Sequence, residues 1–376
     1  MQTTDPAELR AWLALAHARL PRRSRLDLLR LWPDPASWFD ESGRRRIRNT
    51  LHAPQADALE AAWLEADAQS QRTLTWLQEQ GDRHLLTLGS PAYPEGLLNA
   101  PDPPLLLYCS GQLQALQRMM VAVVGSRSAS PQGMRTAQRL GRAWASGGLC
   151  IVSGLAVGID AAAHEGGLEA PGGTVAVVGC GLDETYPRKH LALRQRIEQS
   201  GCILSEYPLG TPALPAHFPA RNRIIAGLSQ AVIVVEAALR SGSLITARLA
   251  NEAGREVLAV PGALSSSLSA GPHWLIRQGA TLLQQAEDLY ETLPRLHPQS
   301  SPAAQNAGAC SVTKQAQGHA PGRHWIAKQL RAGPRSLDEL IAAAGRPAAS
   351  CHVELLEAEL RGDIVRLAGG LYQWMG

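Results

Sequence analysis

Gly125-Ser126-Arg127 is followed at once by Ser130-Pro131, a pair suited to opening a helix. Backbone N–H groups, a hydroxyl, a guanidinium and a helix N-terminus then converge on one place, which is the chemistry of an anion site. Two more stretches share this style. Ser153-Gly154 leads into LAVGIDAAAHEGG, and Ser241-Gly242-Ser243 opens LITARLANEAG with hydroxyls able to cap its first turn. The segment His217-Phe218-Pro219-Ala220-Arg221-Asn222-Arg223 adds two guanidiniums and an amide that can grip phosphates, and an aromatic ring that can stack a base. Each feature alone is usually a tight turn or a helix start; the alternative for this last segment is a core Phe218 with both arginines in structural ion pairs.

Other chemistries lack their residues. No G-x-x-x-x-G-K-[ST] is present to hold a nucleoside triphosphate, and no G-x-G-x-x-G with an acid on the next strand end to hold a dinucleotide. Asp160 and His164 stand at i and i+4 and read as a satisfied structural pair, since two ligands without a third do not make a metal site. The six cysteines form no C-x-x-C pair, so neither structural zinc nor a disulfide framework is expected.

The elements that must position these residues are legible from periodicity. Apolar, β-branched runs at 121–125, 149–154, 174–181, 202–206, 231–236 and 256–262 alternate with helical stretches. Runs buried on both faces predict an α/β fold with an extended Rossmann-like, doubly wound parallel sheet, whose ligands bind beyond the carboxyl ends of the strands. Residues 1–75 read as a small helical domain with a proline-rich break at WPDPASW, 81–292 as the sheet domain and 293–322 as a Pro-, Ser-, Gln- and Ala-rich linker. Residues 323–376 read as three short helices and a hairpin around Gly369-Gly370, the winged-helix pattern; the helix at 350–361 would bury Val353, Leu356 and Leu360.

The 376 residues carry 36 basic and 33 acidic side chains, and only Lys189, Lys314 and Lys328 are lysines. No segment has the basic excess of a general duplex coat. The arginines Arg44, Arg45, Arg46 and Arg48 read as a solvated helix face. No apolar run approaches the roughly 18 residues of a membrane span, and the first thirty residues put acids before the apolar stretch, the reverse of a secretory signal. A cytoplasmic protein without a membrane partner is expected.

Through GSR (125–127), SGLAVGIDAAAHEGGL (153–168), GTVAVVGCGLDETYP (173–187), SEYPLGTPALPAHFPARNRIIAGLS (205–229), VVEAALRSGSLITARLANEAGREVLAVPG (234–262) and GPHWLIRQGATLL (271–283), the sequence resembles the DNA-processing protein A family. The resemblance implies a Rossmann-like protein that binds single-stranded DNA, protects incoming transforming DNA and helps load RecA recombinase on it. It implies a homodimer, no cofactor, no metal and no catalytic residue. Carried onto this chain, the DNA pocket comprises Gly125, Ser126, Arg127, Ser153, Gly154, His217, Phe218, Arg221, Asn222, Arg223, Ser241, Gly242 and Ser243. The dimer surface falls at His273, Ile276 and Leu282. A DNA role for residues 1–75, read as a helical domain of the SAM-like kind, is not implied, because no glycine hairpin is evident there.

Two competing readings have discriminators. A Rossmann-like phosphoribohydrolase of nucleoside monophosphates needs an acid beside the glycine loop that opens a helix, but after Ser241 none comes before Glu252, and Glu236 precedes the loop. A winged-helix regulator of duplex DNA would have to present Glu354, Glu357 and Glu359 to phosphates.

Overall fold

In chain order the helical N-terminal part contains α1 (Pro6–His17), α2 (Arg22–Leu31), α3 (Glu41–Thr50) and α4 (Ala53–Gln78), with the proline-rich break forming a 3-10 turn at Pro35–Trp38. The sheet part follows as β1 (Arg83–Thr87), α5 (Glu95–Leu98), β2 (Leu106–Gly111), β3 (Met120–Val124), α6 (Pro131–Ser146), β4 (Cys150–Ser153), α7 (Ile159–Leu168), β5 (Thr174–Val177), α8 (Leu191–Ser200) and β6 (Cys202–Ser205). It continues through α9 (His217–Leu228), β7 (Ala231–Val234), α10 (Gly242–Glu252), β8 (Glu256–Ala259), α11 (Ala270–Arg277), β9 (Thr281–Leu282) and α12 (Asp288–Thr292). This is a computed structural model that describes residues 5–79, 81–298, 329–330, 335–344, 351, 355, 358, 364–366 and 371–374. Contacts divide the chain into two units, 1–308 and 309–376.

The nine strands of the first unit lie in the order β1-β2-β6-β5-β4-β3-β7-β8-β9. Every pairing from β6 to β9 is parallel, while β1 with β2 and β2 with β6 are antiparallel. The six apolar runs are β3 to β8. From β3 the chain steps outward through β4, β5 and β6, then returns to the other side of β3 for β7, β8 and β9. That reversal opens a crevice at the carboxyl ends of β3 and β7.

Alternation along the strands sorts the core. Val121 and Val123 of β3 join Ala137, Leu140 and Trp144 of α6 on one face, whereas Ala122 and Val124 join Ile224 and Ile225 of α9 and Ala247 of α10 on the other. The N-terminal helices share a third cluster with β1, β2, β5 and β6, where Thr73 of α4 hydrogen-bonds Tyr108 of β2 at 3.1 Å. They are packed against the antiparallel end of the sheet.

Leu293 and Leu296, expected to begin the linker, are buried against the α6 side of the sheet, and Arg295 donates to Gln230 at 3.0 Å. Two leucines at i and i+3 are a packing signal that the surrounding prolines obscure. The remainder of the expected linker, 299–322, lies outside the described residues. In the second unit β10 (Arg335–Ser336), α13 (Leu337–Ala344), β11 (Ile364–Arg366) and β12 (Leu371–Trp374) form an antiparallel sheet in the order β10-β12-β11 with its helix. Leu330, Leu340, Leu355, Ala358, Ile364 and Tyr372 make its core. Cys351, Leu355 and Ala358 are buried at the spacing of one helix face, a different phase from the expected Val353, Leu356 and Leu360. Those three, like Glu354, Glu357, Glu359, Gly369 and Gly370, lie outside the described residues.

Candidate nucleic-acid interface

The crevice between β3 and β7 widens into a cleft of about 410 Å³. The loop after β3 lines it with Gly125, Ser126 and Arg127, α9 with Phe218, Arg221 and Asn222, and the start of α10 with Ser241, Gly242 and Ser243. Arg127 is exposed, has no ion pair among the described residues, and places its guanidinium carbon 5.0 Å from the Phe218 ring centroid. Tyr186 meets the same ring at 5.3 Å and 38°, and is 46% exposed. A narrow pocket beside the cleft joins these three residues to Gly154. Across the cleft, Ser241 accepts from the Ser243 N–H at 3.1 Å and so caps α10, while Asn222 Nδ2 donates to the Gly242 carbonyl at 3.3 Å. An unpaired cation, two rings and a positive helix end therefore face one space.

The sequence comparisons agree on what such a cleft belongs to. Residues 84–294 match the family model described as DNA recombination-mediator protein A, and 312–370 match the DprA winged helix domain. The Smf protein of Escherichia coli is 42% identical over 306 residues, covering 79% of each chain. The chain belongs to the DNA-processing protein A family. DNA processing protein DprA of Streptococcus pneumoniae is 48% identical over 197 residues, 52% of this chain and 70% of that one. An X-ray structure of the same S. pneumoniae protein aligns with a TM-score of 0.62 at 36% identity over 77% of this chain and 98% of that chain. A structure of DNA processing protein A from Helicobacter pylori, concerned with its single-stranded DNA binding mode, aligns with a TM-score of 0.52 at 33% identity over 57% of this chain and 97% of that chain.

Within this member of the family, several residues chosen from sequence hold the cleft together, and some of them do not face it. Arg221 is buried, donating to the carbonyls of Gly154 (2.9 Å) and Val177 and to Asn222 Oδ1 (3.0 Å). Burial lowers its pKa and the nearby Asp160 opposes that. Arg223 points away, its Nε 3.1 Å from Asp102 and its Nη2 donating to both carboxylate oxygens of Glu206 at 2.5 and 2.6 Å. Ser153 is fully buried and donates to the Val123 carbonyl at 2.6 Å. His217 bonds the Gly179 carbonyl through Nδ1 at 3.1 Å and stacks on Tyr207 at 4.0 Å. The structure does not bring Ser153, His217 or Arg223 to the cleft.

The expected anion site at Ser130 is also altered. The N-terminus of α6 already holds a carboxylate: Glu236 accepts from the Ser130 N–H at 2.8 Å and from its hydroxyl at 2.6 Å. The chemistry read from sequence is present, but the anion is the protein's own.

Asp160 and His164 do not bond each other. Asp160 accepts from the N–H groups of Gly154 (3.2 Å) and Ala156 (3.4 Å); burial raises its pKa while Arg221 pulls the other way. His164 Nε2 accepts from the Leu155 N–H at 3.3 Å, which assigns the proton to Nδ1, 2.7 Å from Thr174 Oγ1. Burial lowers the His164 pKa to about 3. His190 holds the Leu155 carbonyl at 3.0 Å. These clamps keep Leu155 at φ +58°, a left-handed conformation rare for a leucine, and Gly158, at φ +84°, passes where a Cβ would strike the Ser126 carbonyl. The loop floor of the cleft is thus held from four sides.

Tyr186 is the residue that the sequence reading missed. It follows the third expected strand by several residues, and its signal is an aromatic before proline in a glycine-rich strand exit; the Tyr186-Pro187 bond is cis. Of the expected dimer residues, Leu282 on edge strand β9 is 41% exposed, Ile276 packs partly on the core, and His273 accepts from the Gly262 N–H at 3.3 Å. Trp274 beside them is 45% exposed. Among the described residues no helix is long and apolar enough to cross a membrane, and no cluster of three metal-ligating side chains occurs.

Proposed function

We propose that this chain binds single-stranded DNA in the β3/β7 cleft, protects incoming DNA and helps load RecA recombinase on it during natural transformation, acting in the cytoplasm as a homodimer without a cofactor. One observation carries the reading: the unpaired Arg127 guanidinium lies on Phe218, with Tyr186 beside it, opposite the capped start of α10. Single strands need what that arrangement offers, cations for phosphates and flat rings for bases, with no requirement for a particular base. Membership of the family, and the single-stranded DNA binding attributed to the H. pylori relative, support it. The phosphoribohydrolase reading gains nothing from the geometry, since both nearby acids are engaged, Asp160 with loop N–H groups and Glu236 with Ser130.

Filter binding of single-stranded against duplex DNA tests the reading. Single-strand preference is expected, with Phe218→Ala weakening binding by about 1–3 kcal/mol and Arg127→Ala lowering the salt slope by about 0.7. Equal affinity for both forms, or release of free base from nucleoside monophosphates, would sink it.

A further inference from the structure

The face of α6 that turns to solvent carries Arg135, Arg139 and Arg142, all exposed and spaced i, i+4 and i+7. The helix, PQGMRTAQRLGRAWAS, contains no acid. Several other arginines on this surface pair with acids, Arg45 with Glu41, Arg48 with Glu60 and Asp57, Arg196 with Glu165 and Arg248 with Glu252. Arg135 and Arg139 have none among the described residues, and Arg142 reaches Glu169 at 3.7 Å, an acid already bonded to Gln138. Like charges at i and i+4 destabilise a helix, so solvation alone does not account for the stripe. It lines a groove of about 590 Å³ between α6 and the end of α7.

Position gives the stripe its ligand. Helix α6 starts directly after the loop that places Arg127 at the cleft, so its outer face leads away from the cleft rim. Along the axis the three arginines are about 6 and 4.5 Å apart. We infer that this groove carries the phosphodiester backbone of the single strand where it leaves the cleft, a second contact zone that reads charge and no base. The inference rests on the cleft being the single-strand site. Guanidiniums on a helix face without aromatic neighbours suit phosphates.

The test compares oligothymidylates of about six and about twenty nucleotides, the first filling only one site and the second long enough to continue past it. Fluorescence anisotropy with the full chain and the R135A/R139A/R142A variant should leave the short probe within about twofold. The long probe should weaken about tenfold or more at physiological salt, its salt slope reduced by about two. The corresponding triple lysine variant should recover most of that slope, because charge is retained. Arg127→Ala should weaken both lengths. If the arginine-to-alanine triple leaves the long probe unchanged while Arg127→Ala still weakens both, the groove is no track and the cleft reading stands. Equal loss on both lengths, or loss confined to duplex DNA, also overturns the track. Failure of the unmodified protein to bind either probe removes the cleft reading, and the track with it.

Discussion

Arg223 stands two residues beyond Arg221 on α9, and a helix turns about 100° per residue, so the two side chains leave on opposite faces. Arg221 dives beneath the cleft into three hydrogen bonds; Arg223 meets Asp102 and Glu206 on the other side. Arg127, on a loop, has no ion pair among the described residues and lies over the Phe218 ring. The sequence shows three equivalent cations, because the carboxylates that neutralise Arg223 come from outside its helix, Glu206 from the exit of β6 and Asp102 from a segment more than a hundred residues away. That partnership sets opposite expectations. Arg223→Ala leaves two acids partly buried without their cation and should cost roughly 2–3 kcal/mol, read as a lower urea midpoint at unchanged m-value, with single-strand binding by the folded protein kept within a few-fold. Arg127→Ala should do the reverse. A stable Arg223→Ala protein that fails to bind DNA would return Arg223 to the site.

At the scale of elements, the loop between β4 and α7 is the part that sequence could not supply. Glycine-rich text after a strand announces a turn, and the i, i+4 spacing of Asp160 and His164 announces a shared face; neither says that both side chains curl back onto the same backbone stretch. The strands themselves were legible because β3 to β7 are buried along their whole length, and β8 in its second half, so that they read as largely apolar runs. The α6 N-terminus was legible as an anion site, but its occupant arrives from β7, which only the strand order brings alongside. The loop's dependence on a neutral imidazole makes it pH-sensitive. The folded state keeps His164 neutral down to about pH 3, whereas the unfolded chain protonates it near the ordinary value of 6.5. Stability is therefore complete above pH 6.5 and lost on acidification toward pH 3, at a limiting ~1.4 kcal/mol per unit. His164→Asn should start less stable at pH 7, and its deficit should shrink by roughly 2–3 kcal/mol by pH 4.5. Asp160 is common to both proteins and cancels in the comparison. Parallel curves of unfolding free energy against pH would show that His164 is not the group.

For the whole molecule, the sheet decides which surfaces remain for assembly. At one end the N-terminal helices pack across β1 and β2, but at the other the two-residue strand β9 is the edge. Beside it Trp274 and Leu282 expose their side chains next to a helix whose Leu275 is buried in the core. An edge strand with adjacent apolar side chains can template another chain, and the homodimer proposed above would cover it. The three residues picked from sequence are not equal probes of that idea. Ile276 packs partly on the core and His273 holds the Gly262 N–H, so substituting either disturbs the monomer. Leu282→Glu separates the effects: its side chain is half in solvent before assembly and would be desolvated within the interface, where an unpaired charge costs several kcal/mol. If the proposed dimer forms there, the variant should keep its circular dichroism and melting behaviour and scatter light as a monomer at concentrations where the unmodified chain scatters as a dimer. A dimer that survives Leu282→Glu, in a protein that still melts normally, would move the interface off β9.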